Sequence, residues 1–204
     1  VLTLSNGAII TIKAGELSGS VTVDAPSDDV YKDGSSLTVS ITGSSGGNYE
    51  QLDTSSKVTT EVADTVDTTT VTLSSATNGQ IVTEGGSIVY TASVSNPVTG
   101  SPLTVTLSNG VVITIPVGAS SANSEPVPVR ADDAYQQGNE TLNVTIDKTS
   151  GGNYEHVTTA GTITNTVVDD SDATTVTLSS ATNGQTVTEG GSIVYTASVS
   201  NPVT

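Results

Sequence analysis

Thirty-one consecutive residues of this chain occur twice. The stretch TTVTLSSATNGQIVTEGGSIVYTASVSNPVT covers 69–99 and returns at 174–204, 105 residues later, with Thr186 in place of Ile81 as the sole change. Other landmarks keep nearly the same step: GGNYE at 46–50 and 151–155 is offset by 105, DDVY at 28–31 and DDAY at 132–135 by 104, and TLSNG at 3–7 and 106–110 by 103. Two single-residue insertions or deletions therefore lie between the copies. Repetition at a fixed period means that one structural unit recurs. Residues 68–172 read as one whole module of about 105 residues, 1–67 as the later two-thirds of another, and 173–204 as the first third of a further one. The chain reads as a window on a longer tandem array. Its two partial modules either complete each other between neighbouring molecules or belong to domains not fully shown.

Within the whole module the apolar residues alternate with polar ones. Ile88, Tyr90, Ala92 and Val94 alternate with Thr91, Ser93 and Ser95, the period of a half-buried strand. LTVTLSNGVVITI predicts a hairpin, with Leu103, Val105 and Leu107 on one arm and Ile113 and Ile115 on the other. Its Asn109-Gly110 pair predicts a two-residue turn, because both positions accept positive φ. TTVTLSS, EPVPVR and TLNVTI supply further strands, and HVTTAGTITNTVV is expected to close the sheet as one more. No long segment carries helical periodicity. Seven or so short strands with regular turn signals predict an all-β chain of tandem immunoglobulin-like β-sandwich modules.

Composition narrows the function. Five Lys and Arg face 21 Asp and Glu, a formal charge of −16. Nucleic acid and anionic lipid are poor partners for such a surface, since phosphate binding needs a basic one. No apolar run reaches the roughly 20 residues of a membrane helix, and nothing at the start reads as a signal peptide. Without cysteine there is neither a disulfide framework nor a thiolate metal site. His156 is the only histidine, and Gln51 stands at its counterpart, so a catalytic triad or histidine-metal site is not expected. The absence of Trp and Phe removes the usual sugar-stacking platform beside a carboxylate pair. No enzyme activity and no small-molecule substrate are expected.

The acids cluster where simple solvation would scatter them. Glu84 and Glu189 sit in VTEGG, and Asp132 and Asp133, with Asp28 and Asp29, sit in DDxY. Asp169 and Asp172 close the module, as Asp64 and Asp67 do earlier, with Asp170 an extra acid in the later copy. Brought to one pole of a sandwich, these carboxylates would repel one another unless a cation held them. Hard oxygen donors suit Ca2+, which takes six to eight of them; the other reading is a set of solvated acidic loops. The tyrosines after each DD pair, Tyr31 and Tyr135, are expected to bury their rings and bond a loop carbonyl.

Taken together, VTEGGSIVYTASVSNP, the TVTLSNGVVITI hairpin, ADDAY, SGGNYE and the Asp-rich module end resemble the immunoglobulin-like extender repeats of large bacterial RTX adhesins. A looser similarity runs to Calx-β domains. The adhesin resemblance covers the entire chain. It implies a secreted rod at the bacterial cell surface, stiffened by Ca2+ at its domain junctions, that projects a ligand-binding tip in adhesion and biofilm formation. The partners it implies are calcium ions and neighbouring repeats of the same chain, with no insertion into a membrane. The calcium ligands it implies are Glu84, Asp132, Asp133, Asp169 and Asp172, with Asp28, Asp29, Asp64, Asp67 and Glu189 in the other copies. Asp170 is the extra candidate, because Thr65 stands at its counterpart. The alternative is a repeat that itself grips a glycan, a protein or an ice surface.

Overall fold

The computed structural model describes residues 1–204. Its strands are β1 (Leu2–Leu4), β2 (Ile9–Ile10), β3 (Ser35–Ser44) and β4 (Lys57–Val62) in the first segment. The middle segment carries β5 (Thr68–Ser74), β6 (Ile81–Thr83), β7 (Ser87–Ile88), β8 (Thr91–Val94), β9 (Leu103–Leu107), β10 (Val112–Ile115), β11 (Ser121–Asn123), β12 (Val127–Pro128), β13 (Glu140–Ser150), β14 (His156–Ala160) and β15 (Thr162–Val168). The chain ends with β16 (Val176–Ser179) and β17 (Thr196–Val199). There is no helix, and the fold is all-β, as the alternation predicts.

In the middle segment two sheets face each other. One has the order β10-β9-β13-β15-β6, the other β11-β8-β5-β14, and β7 pairs with β12 beside them. The alternation decides the inner faces. Leu103, Val105 and Leu107 of β9, Ile113 and Ile115 of β10, and Val144 and Ile163 meet Val71, Leu73, Ala92 and Val94 of the opposite sheet. Ile88, Tyr90, Val98 and Tyr154 complete a core of 15 residues. Each such aliphatic side chain, fully buried, contributes about 1.5–3 kcal/mol.

Three details depart from the sequence pattern for identifiable reasons. First, the β9–β10 hairpin does not use a two-residue turn. The amide of Gly110 donates to the Leu107 carbonyl at 2.9 Å, the Leu107 amide donates to Val111, and only Gly110 has positive φ. This is a type I turn followed by a left-handed glycine, the geometry of a longer hairpin loop with a bulge. Second, the expected closing strand is two strands in opposite sheets. β14 pairs parallel with β5, while β15 pairs with β13 and with β6. Gly161, at φ 97°, makes the crossing, and a Cβ there would run into the Leu73 carbonyl. Third, SIVYTASVS is broken between β7 and β8, where the Ser124 hydroxyl accepts from the Tyr90 amide at 3.0 Å in place of a ladder bond. His156 is exposed at the start of β14.

The repeated text behaves differently in its two places. Val71 and Leu73 are 0% and 3% exposed, whereas their counterparts Val176 and Leu178 are 68% and 70% exposed on the β16–β17 pair. Leu73→Ala should therefore destabilise the chain by about 2–5 kcal/mol, and Leu178→Ala by no more than about 0.5 kcal/mol. Urea denaturation of the two variants checks this, and equal losses would contradict the packing described.

Burial also raises the pKa of the Tyr90 and Tyr154 phenols, with the charge of Tyr31 adding to the effect at Tyr154. Unfolded tyrosine ionises at about pH 10. The stability these phenols contribute is present in full below that pH and is lost as pH rises through their higher folded values. Melting temperature should be insensitive to these two groups at neutral pH and fall above about pH 10. Tyr90→Phe should reduce that alkaline slope, as measured by melting between about pH 8 and 12.

Candidate metal centre

The VTEGG turn follows β6, the terminal acids follow β15, and those two strands run side by side in parallel. That pairing brings Glu84 to the module's end: its amide donates to the Val168 carbonyl at 2.9 Å. The DD loop is drawn in by the next amide, as Gly85 donates to the Arg130 carbonyl at 2.8 Å. Gly85 has φ 74°, and a Cβ on it would stand 2.9 Å from Cβ of Asp132, so glycine permits the close approach of loop and turn.

Glu84, Asp132 and Asp170 come together there. One carboxylate oxygen from each lies within 4.8 Å of the others. Glu84 is buried, with 1% of its side chain exposed, while Asp132 and Asp170 face solvent. A neighbouring cleft of about 220 Å³ is lined by Glu84, Asp133, Tyr135, Asp169, Asp170 and Asp172, among others.

Arg130, the chain's single arginine, organises the acids around this trio. Its Nε donates to Glu84 Oε2 at 3.0 Å, its Nη1 to the Gly138 carbonyl at 2.9 Å, and its Nη2 to Asp169 Oδ1. The other Asp169 oxygen accepts from the amides of Gln137 and Gly138, both at 2.9 Å. The Gly138 amide above all, with Gln137 and Arg130, holds Asp169 below the usual carboxylate range. Asp170 shifts the other way: desolvation, then the charges of Asp172, Asp132, Glu84 and Asp169, push its pKa up. Asp133 caps its own loop, accepting from the Tyr135 amide at 2.8 Å and from the Gln137 side chain.

The structure thus separates the residues that the sequence groups. Asp170 stands in the trio, whereas Asp169 and Asp133 serve as anchors for the 130–138 loop. Asp172 contributes a nearby charge. In the first segment Asp28 accepts from the Thr65 hydroxyl at 2.6 Å, so the residue that replaces Asp170 supplies a donor in place of a second acid. Asp29 accepts from the Tyr31 amide at 2.7 Å, as Asp133 does from Tyr135. Asp64 accepts from the Asp33 amide at 3.0 Å, and the Asp67 amide donates to Glu155 at 2.5 Å. The hydrogen bond with Asp64 is the main cause of a raised pKa at Asp33. Glu189 lies exposed in the last VTEGG turn. Arg130 is the organising residue missing from the sequence-based set. Its one signal was its place, a lone arginine two residues before an acidic pair.

The family model of the LapA domain matches residues 1–65 and 67–171. The chain belongs to the LapA domain family. LapA is a large adhesin involved in biofilm, which places this chain among adhesin-related domains. No curated protein matches it. No helix of this LapA-family chain is long and apolar enough to cross a membrane.

Three carboxylates on hard oxygen, with one of them buried, fit a divalent cation such as Ca2+ better than a soft metal. Without a cation, the raised pKa of Asp170 makes its ionised form a liability. Stability at this site should fall as pH rises from the unfolded value through the raised folded one. Asp170→Asn should therefore raise the melting temperature in chelator and reduce the gain produced by added Ca2+. The same calorimetric shift with and without Ca2+ would contradict a role for Asp170 in holding the ion.

Proposed function

We propose that this chain is an extender segment of a large secreted adhesin, in which tandem β-sandwich modules spanning 1–67, 68–172 and 173–204 form a rod stiffened by Ca2+ outside the cell. The observation that carries this reading is the place of the Glu84–Asp132–Asp170 trio, at the point where one module ends and the next begins. Asp170 lies six residues before β16, a connection too short for a free linker. A cation bound by the end of β15, the TEGG turn and the DD loop would tie the start of that connection to the body of its own module. It also offsets the mutual repulsion of the acids that would otherwise favour opening.

Glu84, Asp132 and Asp170 would hold the ion, with Asp172 and Asp133 close enough in sequence to adjust toward it. Asp28, Asp29, Asp64, Asp67 and Glu189 are the corresponding candidates in the partial modules. The role is structural, not catalytic, in keeping with an adhesin family, and the rod would serve adhesion and biofilm formation at the bacterial surface by projecting a binding tip. Extracellular calcium modules bind at about 10⁻⁴–10⁻³ M. At about 1 mM Ca2+ such a site adds roughly 0.4–1.4 kcal/mol by mass action, so it is filled outside the cell and empty in the cytosol.

Calcium titration read by melting and by small-angle scattering tests this. The melting temperature should rise, and the particle should become longer and narrower in its distance distribution, with both changes reversed by chelator. An unchanged melting temperature together with an unchanged maximum dimension would overturn the reading.

A further inference from the structure

The tyrosine of each DDxY loop reaches out of its own module. Tyr31 is half-buried, and its hydroxyl donates to the carbonyl of Pro97, in the middle segment, at 2.6 Å. Its ring stacks on Tyr154 with centroids 5.6 Å apart and planes 27° from parallel. The backbones pair as well. Tyr31 and Tyr154 form an isolated antiparallel bridge, the Lys32 amide donates to the Asn153 carbonyl at 2.9 Å, and the Glu155 amide donates to the Val30 carbonyl at 3.1 Å. The Asn153 side chain donates to the Lys32 carbonyl at 3.1 Å. Val30 and Tyr31 pack against the hydrophobic core of the 68–172 segment as though they belonged to it.

The same contact recurs one module later. Tyr135, the counterpart of Tyr31, donates to the carbonyl of Pro202, the counterpart of Pro97, at 2.9 Å.

We infer that the DDxY tyrosine is a clasp onto the following module, received by the SNP carbonyl and the GGNYE tyrosine, and that it docks successive modules without a metal. The partner it fits is another copy of the same repeat. The inference rests on the tandem reading above but not on calcium, since no carboxylate takes part in the stack, the phenol bond or the bridge. The net value of one hydrogen bond and one aromatic pair, each about 0.5–1.5 kcal/mol, corresponds to roughly tenfold or more in the docking equilibrium.

Amide hydrogen exchange on the full chain tests the clasp at the two amides that exist as donors only when the segments are docked, Lys32 and Glu155. Both should be protected in Ca2+ and in chelator alike. Tyr31→Phe, which keeps the ring and loses the hydroxyl, should lower their protection by about 2- to 10-fold. Tyr31→Ala should lower it by tenfold or more. In both variants protection within the β3–β4 ladder and at Val105 should be unchanged, which separates undocking from unfolding. Unchanged protection of Lys32 and Glu155 in Tyr31→Ala would overturn the clasp. Loss of their protection in the unmodified chain on chelation would overturn its independence of metal. A failure of the calcium reading would show instead as insensitivity of melting to Ca2+, with these amides still protected.

Discussion

Burial of one alternating face between two sheets is the constraint on which everything else in this protein depends. The 31-residue repeat makes that visible within a single chain. Where β5 and β8 face the β9, β10, β13 and β15 surface, Val71, Leu73, Ala92 and Val94 disappear from solvent, and their counterparts on β16 and β17, which face no second sheet, do not. Local propensity is the same in both places, so the difference is tertiary. The acidic loops inherit their positions from that packing. Glu84 arrives beside Asp170 because β6 and β15 are adjacent in one sheet, not because the loops attract each other.

The electrostatics then work against the packing and must be managed. Asp169 is satisfied by two amides and Arg130, while Asp170, one residue on, is left among four like charges. Adjacent residues on an extended backbone point to opposite sides, so one acid can be bonded to the 130–138 loop while its neighbour faces Glu84 and Asp132. Arg130 neutralises the anchor side of the cluster and leaves one oxygen of the buried Glu84 turned toward Asp170, whose amide lies 3.4 Å away. The result is a cluster of acids that the protein neutralises on one side only.

Fold class was legible in the sequence because alternation in residues such as Leu103–Leu107 and the paired turn signals depend only on local period. What period cannot show is where a strand changes sheets. HVTTAGTITNTVV reads as one strand-forming run, yet Gly161 sends its two halves to opposite sheets. Asn109-Gly110 likewise fits two turn types, and the longer loop prevails through the bond from the Leu107 amide to Val111. At the site, recurrence between copies pointed to Asp169 and Asp172; Asp169 is bonded by the Gln137 and Gly138 amides and by Arg130, and Asp172 stands as a charge near Asp170. Asp170 does not recur, and Thr65 at its counterpart hydrogen-bonds Asp28 instead. The reach of Tyr31 into the next segment was hidden because sequence gives a carbonyl partner no address.

One loop joins the two kinds of contact. Asp132 belongs to the carboxylate trio, Asp133 fixes the turn by accepting from the Tyr135 amide, and Tyr135 reaches the Pro202 carbonyl of the stretch that follows. Four residues therefore run from the acidic cluster of one module to the surface of the next. An ion that drew Asp132 toward Glu84 and Asp170 would also set the angle at which the tyrosine leaves the loop. A docked tyrosine, in turn, would hold Asp132 near the position the ion requires. The two contacts share a loop but no atom, and the clasp does not require the ion. In the first segment, where Thr65 bonds Asp28 directly, the loop is held by protein alone, and Tyr31 is nonetheless fully engaged with Pro97 and Tyr154. The clasp thus needs an ordered DDxY loop, and a hydroxyl can order it where a second acid and a cation do not.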